Sequence, residues 1–175
     1  AMFVAITILL PLFPMNVKAE EIFSGETEAY ETLRFDLGGA GVAEGYIGVS
    51  AEDAYDVETG YGFANTEAVE DVLAGGEGAL ADAVRFKSDV ANHIFNVDLP
   101  SGVYKITVTT GDVKSTTITA EGRPQLFFLT GSNAVDSFTI PVTDGQLNIH
   151  AGSGVGTEFS ISALEIEQTS TGTTT

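Results

Sequence analysis

Two histidines, His93 and His150, are the imidazoles this chain has for proton transfer or metal binding, and no cysteine is present to act as nucleophile or thiolate ligand. Neither histidine sits in an H-x-x-x-H or H-E-x-x-H spacing, the pattern that sets two ligands on one helical face with a base between them. No G-x-S-x-G elbow lifts a serine over a strand-to-helix turn. The run Gly152-Ser153-Gly154-Val155-Gly156 is glycine-rich, yet it joins two strand-like segments and opens no helix. It reads as a flexible turn and not as a phosphate cradle. Carboxylates are abundant, 25 Asp and Glu against 7 Lys and Arg, so no single pair stands out as the acid and base of a glycosidase. These residues offer no catalytic set, and a non-catalytic role is expected.

The remaining polar groups suit the holding of a polar ligand. Tyr46, Tyr55 and Tyr61 lie in a glycine-rich stretch over residues 38–62. A tyrosine ring presents a flat face on which pyranose C–H groups pack, with a phenol left to hydrogen-bond. The alternative for these aromatics is core packing, strongest for Phe63, which alternates with Tyr61 around Gly62. Arg85 is suited to gripping a sugar hydroxyl or a uronate carboxylate, or to a structural ion pair with a neighbouring acid. Asn65, Asn92 and His93 add hydrogen-bonding groups at loop edges, where polar residues also occur with no functional role. The absence of tryptophan removes the largest stacking platform and points to modest affinity for single glycan chains.

The elements that must position these residues read as strands. Residues 32–37 (TLRFDL) alternate and stop at Gly38-Gly39. Residues 94–99 (IFNVDL) alternate, turn at Pro100-Ser101-Gly102, and resume over 103–109 (VYKITVT), a hairpin signal. Further runs follow over 115–120, 125–129, 137–142, 146–150 and 159–166, each bounded by Gly, Asp, Asn or Pro clusters. Asp144-Gly145 between two alternating runs is the strongest short hairpin signal. Strands at roughly ten-residue spacing argue for an all-β jelly-roll sandwich. One short helix is the most that residues 66–84 support: Ala68, Val69, Val72 and Leu73 have helical spacing, but Gly75, Gly76 and Gly78 break it. A stretch as long as 38–62 is expected to be functional or to carry short elements of its own.

The net charge of −18 repels phosphate backbones and anionic lipid surfaces, which argues against nucleic acid and membrane as partners of the mature protein. At the front, residues 2–17 (MFVAITILLPLFPMNV) form an apolar run of the length of a signal-peptide core, too short for a span and interrupted by Pro11 and Pro14. Val17-Lys18-Ala19 precedes an expected cleavage, so residues 1–19 read as a truncated signal peptide and the protein as secreted. A retained anchor or a strand is the alternative. Residues 20–168 then form the sandwich, and residues 169–175 (TSTGTTT) begin a Thr-rich linker to a domain downstream.

One ordered series is more specific. Phe35-Asp36-Leu37-Gly38, Gly45-Tyr46-Ile47-Gly48-Val49, Asp53-Ala54-Tyr55-Asp56 and Gly60-Tyr61-Gly62-Phe63 come first. Phe95-Asn96-Val97-Asp98-Leu99-Pro100-Ser101-Gly102-Val103-Tyr104 and Gly111-Asp112 follow. Then come Ala120-Glu121-Gly122-Arg123, Thr143-Asp144-Gly145-Gln146-Leu147 and Ala163-Leu164-Glu165-Ile166. Over about residues 32–167 the chain resembles the galactose-binding-like N-terminal domain of SGNH-type rhamnogalacturonan acetylesterases and related bacterial pectin- and agar-degrading enzymes. The resemblance implies a carbohydrate-binding-module-like jelly roll attached to a catalytic domain, with polysaccharide or oligosaccharide as ligand. An SGNH catalytic domain would open on Gly-Asp-Ser; here Gly111-Asp112 is followed by Val113, so the nucleophile is missing. Family domains often carry Arg followed by an acid before the Asp98-Leu99-Pro100 strand, where this chain has Arg85-Phe86. Related sandwiches often hold one structural calcium ion between their first and last strands, which makes Asp36 and Glu165 the candidate ligands. Two roles follow: a glycan-targeting module that raises enzyme concentration on plant cell wall, or a spacer packed on a downstream esterase with no sugar affinity of its own.

Overall fold

The computed structural model describes residues 32–152 and 159–171. The expected signal peptide lies outside these residues, as do residues 153–158 of the glycine-rich turn and residues 172–175 of the Thr-rich tail. Two sheets make up the fold. The first contains β1 (Leu33–Leu37), β2 (Ile47–Val49), β4 (Val69–Leu73), β5 (Asp82–Phe86), β7 (Gly102–Thr110), β10 (Val135–Val142) and β12 (Ser160–Thr171), with main order β10-β7-β12-β1-β2. The second contains β3 (Tyr61–Phe63), β6 (Phe95–Asp98), β8 (Asp112–Ala120), β9 (Arg123–Ser132) and β11 (Gln146–Gly152), in the order β3-β6-β11-β8-β9. This is the expected all-β sandwich. The stretch 38–62 does carry an element of its own, β2, which runs parallel to β1.

Alternation writes the core. Phe35 and Leu37 on β1, Phe95 and Val97 on β6, and Leu147 and Ile149 on β11 are buried; Arg34, Asn96, Asp98, Asn148 and His150 alternate onto the opposite faces, and Asp36, also on the opposite face, is itself buried. Four phenylalanines tie the sheets together: Phe35–Phe95 at 5.4 Å, Phe63–Phe95 at 5.1 Å and Phe63–Phe86 at 6.1 Å between ring centroids. Each buried ring contributes about 1.5–3 kcal/mol by leaving water.

Residues 66–84 depart from the helical reading. Thr66–Ala68 is a single 3-10 turn, and Val69 and Leu73 belong to β4, paired antiparallel with β5 from Val69↔Phe86 to Leu73↔Asp82. No α-helix occurs among the described residues, and no helix there is long and apolar enough to cross a membrane. Three apolar pairs at helical spacing were outweighed by the ladder that β5 supplies and by Gly75-Gly76, which turn the chain back on itself. At the far end β12 continues through Ser170↔Val103 and Thr171↔Gly102, so the first residues of the Thr-rich tail are in the sheet.

β1 and β5 lie on the same edge of β12. Asp36 pairs with Ala163 and Val84 with Ile161, so the end of β1 abuts the start of β5.

Candidate functional site

The outward residues of the second sheet form a continuous polar face. The register sets Gly62, Asn96 and Asn148 in one row across β3, β6 and β11. Asp98 and Gln146 form the row on one side, and His150 with Thr119 of β8 the row on the other. Asn148 Nδ2 donates to Asn96 Oδ1 at 2.9 Å and to Gln146 Oε1 at 3.0 Å. Gln146 Nε2 donates to Asp98 Oδ1 at 2.8 Å, and the Tyr55 hydroxyl donates to Asp98 Oδ2 at 2.8 Å. Accepting that bond, Asp98 raises the Tyr55 pKa, so the phenol stays protonated. At the β8 side the backbone N–H of Asn148 donates to Glu121 Oε1 at 2.8 Å. Among the described residues Asn96 Nδ2 and Asn148 Oδ1 have no protein partner, which leaves a donor and an acceptor for ligand hydroxyls.

Tyr55 reaches this face because Gly62 has no side chain. A Cβ at Gly62, where φ is +140°, would lie 2.5 Å from Tyr55 N, so only glycine lets the 54–55 segment cross there. His93 closes the other side: its ring meets that of His150 edge-on at 4.9 Å, and its Nδ1 lies 2.8 Å from the Val90 carbonyl. Burial, then the charge of His93, lowers the His150 pKa. An open cleft of about 630 Å³ begins at Asp98 and Gln146 and continues along Leu99, Pro100, Asp144 and Gly145.

The ligand-binding candidates read from the sequence do not share one face. Tyr55 and His93 border the polar face. Tyr61 is half-buried against the core, 5.2 Å from the Phe35 ring. Asn65 caps the 3-10 turn by accepting from Glu67 N and donating to the Ala91 carbonyl. Arg85 pairs with Glu70 across β4 and β5. Tyr46 sits on the first sheet, its hydroxyl donating to Glu165 Oε1 at 2.9 Å. Asn96, Asp98, Gln146, Asn148 and His150 were not among the ligand-binding residues expected from the sequence. Their signal was the polar half of two alternating strands, but only the register brings Asn96 and Asn148 together.

For the calcium candidates, Glu165 is occupied by Tyr46 and by Arg34, 3.6 Å away. Asp36 is buried one row along, beneath the 38–43 loop, with Ala43 N donating to its Oδ2 at 2.7 Å. No group of three or more His, Asp or Glu side chains among the described residues converges on a metal geometry.

Two facing sheets, with a polar outer face on one of them and no catalytic constellation on it, define the class: a galactose-binding-like β-sandwich. The chain belongs to the family described as Beta-agarase/YXIM esterase-like, galactose-binding domain-like, which matches residues 33–167. It is 44% identical over 154 residues to YxiM, an uncharacterized esterase of Bacillus subtilis (strain 168), covering 86% of this chain and 40% of that protein. A crystal structure of the Bacillus subtilis YxiM protein superposes with a TM-score of 0.78 at 45% identity, over 80% of this chain and 40% of that one. The chain thus spans about two fifths of that relative's length. A β-glucuronidase of Bacteroides uniformis shares the fold at a TM-score of 0.59 and 14% identity, over 79% of this chain and 18% of that one.

Proposed function

We propose that this chain is the non-catalytic carbohydrate-binding module of a secreted plant-polysaccharide-degrading enzyme of the pectin or rhamnogalacturonan type, and that it binds glycan on the polar face of the second sheet. The observation that carries the reading is the Asn96–Asn148–Gln146–Asp98–Tyr55 network. Its amides are oriented by one another, so they meet ligand hydroxyls without first losing rotamer freedom. Tyr55 supplies a ring at the rim, and the adjoining cleft gives a chain room to run on. The relative named an esterase supports an esterase as the attached enzyme.

The test is affinity electrophoresis and calorimetry of the protein against pectin, galactan, xylan and agar. Binding to at least one is expected, with Asn148→Ala lowering affinity about tenfold through the loss of two hydrogen bonds. Retardation by none of the four would refute the reading. A second reading, a structural domain packed on the downstream enzyme, draws on the apolar side chains Phe127, Phe128 and Val135, which stand exposed. It predicts no glycan binding and a loss of esterase stability when Phe127 and Phe128 are replaced in the full-length enzyme.

A further inference from the structure

Along β11 the polar face of the second sheet differs at its two ends. Gln146, Asn148 and His150 follow one another on the outward side of the strand. Past His150 stands the His93 ring, 4.9 Å away. Past Gln146 lies the open cleft of about 630 Å³, lined by Asp98, Leu99, Pro100, Asp144 and Gly145. A glycan lying along β11 and longer than the face leaves it through this cleft.

The walls of the cleft are tied in place. Leu99 N donates to the Gly145 carbonyl at 2.9 Å, and Ser101 Oγ to the Thr143 carbonyl at 3.4 Å. The hydroxyl of the buried Tyr104 donates to the Pro100 carbonyl at 2.6 Å. The end of β12 closes on the same turn. Ser170 pairs with Val103 and Thr171 with Gly102, and Thr169 Oγ1 donates to the Val103 carbonyl at 2.9 Å. A Cβ at Gly102 would lie 2.5 Å from Gln168 Nε2 and 3.0 Å from Ser170 O, so glycine at this position lets β12 come that close. Four residues of chain from Gly102 to Asp98 span at most about 14 Å, and paired strands lie about 5 Å apart. The backbone therefore leaves β12 within about 20 Å of Asp98.

We infer that this cleft is the outlet through which a bound glycan passes from the polar face to the domain that follows β12. The inference rests on the glycan-binding reading above, together with the length of YxiM, of which this chain covers 40%. It adds a direction: the bound chain is led to the enzyme and not only held near it. Asp98 and Asp144 line the outlet and no cationic side chain does, so the passage suits a neutral chain and opposes a uronate one. The exposed Val135 lies elsewhere. It pairs with Thr109, seven residues along β7 from Gly102 and about 23 Å away.

The experiment has two arms. This chain contains no cysteine, so Ser101→Cys and Val135→Cys each carry one environment-sensitive fluorophore. Each labelled protein is titrated with whichever of pectin, galactan, xylan or agar binds in calorimetry. The Ser101 probe should respond with the calorimetric midpoint and the Val135 probe should stay silent. In the full-length enzyme, Asp144→Trp fills the outlet and leaves the Asn96–Asn148 pair in place. It should lower kcat/KM on the polymer about tenfold or more, while turnover of a small soluble ester and affinity for a short oligosaccharide are unchanged. Val135→Trp should alter none of these. Calorimetric binding with a silent Ser101 probe overturns the inference and leaves glycan binding standing, as does polymer turnover that Asp144→Trp leaves intact. Polymer turnover lost through Val135→Trp alone also overturns it, since the enzyme would then lie against the apolar side chains. Absence of calorimetric binding to all four glycans refutes the glycan-binding reading itself, and this inference with it.

Discussion

His150 illustrates how a single residue couples the polar face to stability. Its Nδ1 is buried without a partner, and its ring rests against His93. Burial and the charge of His93 lower its pKa below the ordinary 6.5, against a smaller opposing contribution from the Ala151 backbone. The unfolded chain therefore takes up a proton as pH falls past 6.5 while the folded chain resists. The contribution of His150 is fully present above 6.5 and is lost as pH falls through the folded value. Melting temperatures measured from neutral to mildly acidic pH should fall for the wild type, and His150→Gln should flatten that slope. Equal slopes for both proteins would place the titrating group elsewhere. Both histidines were legible as the chain's rare imidazoles, but their contact was not. It depends on a loop, residues 87–94, that returns His93 over β11, and no local pattern encodes that path.

At the scale of elements, backbone sterics decide what the side chains can reach. Gly62 lies in β3 at a φ of +140°, with the 54–55 segment against its Cα. Gly62→Ala forces a methyl into the Tyr55 backbone and should cost about 2–3 kcal/mol. It should also free Tyr55 from Asp98, so urea denaturation and glycan affinity both register the change. A variant as stable as the wild type would mean the segment yields without strain. Phe128 presents the opposite case. It adopts a φ of +58° on β9 and is 74% exposed, a conformation that bulky residues rarely hold. Phe128→Gly removes that strain and little packing. It should raise the unfolding free energy by about 0.5–1 kcal/mol, read as a higher urea midpoint at unchanged m-value. Hairpins at Pro100-Ser101-Gly102 and Asp144-Gly145 could be read locally, since turn residues and alternation lie within a few positions of each other. The β4–β5 hairpin could not. Ala68, Val69, Val72 and Leu73 fit either period, and the partner strand that selects β lies beyond the glycines.

Over the whole molecule, local rhythm was enough to give a sandwich but not the order of its strands. β12 sits between β7 and β1, and β1 runs parallel to β2, pairings fixed by long-range packing of Phe35, Ile106 and Leu164 in the core. The candidate site inherits that limit, since its rows exist only once β6 and β11 are neighbours. Net charge, by contrast, is a property of the sequence alone, and at −18 it acts on any charged ligand before contact is made. Unmethylated pectin is a polyanion, so its approach is opposed over roughly 30 Å at 0.01 M salt and only about 10 Å at 0.1 M. Retention on polygalacturonate should therefore be weakest at low ionic strength and grow as salt is added. Affinity for a neutral or acetylated glycan should stay nearly constant over the same range, because hydroxyl hydrogen bonds and ring stacking carry no net charge. Calcium complicates the first case by bridging carboxylates, so the salt series is run in chelator. Retention on polygalacturonate that is strongest at low salt would require a basic patch, and would move the binding surface away from the face of Asp98 and Glu121.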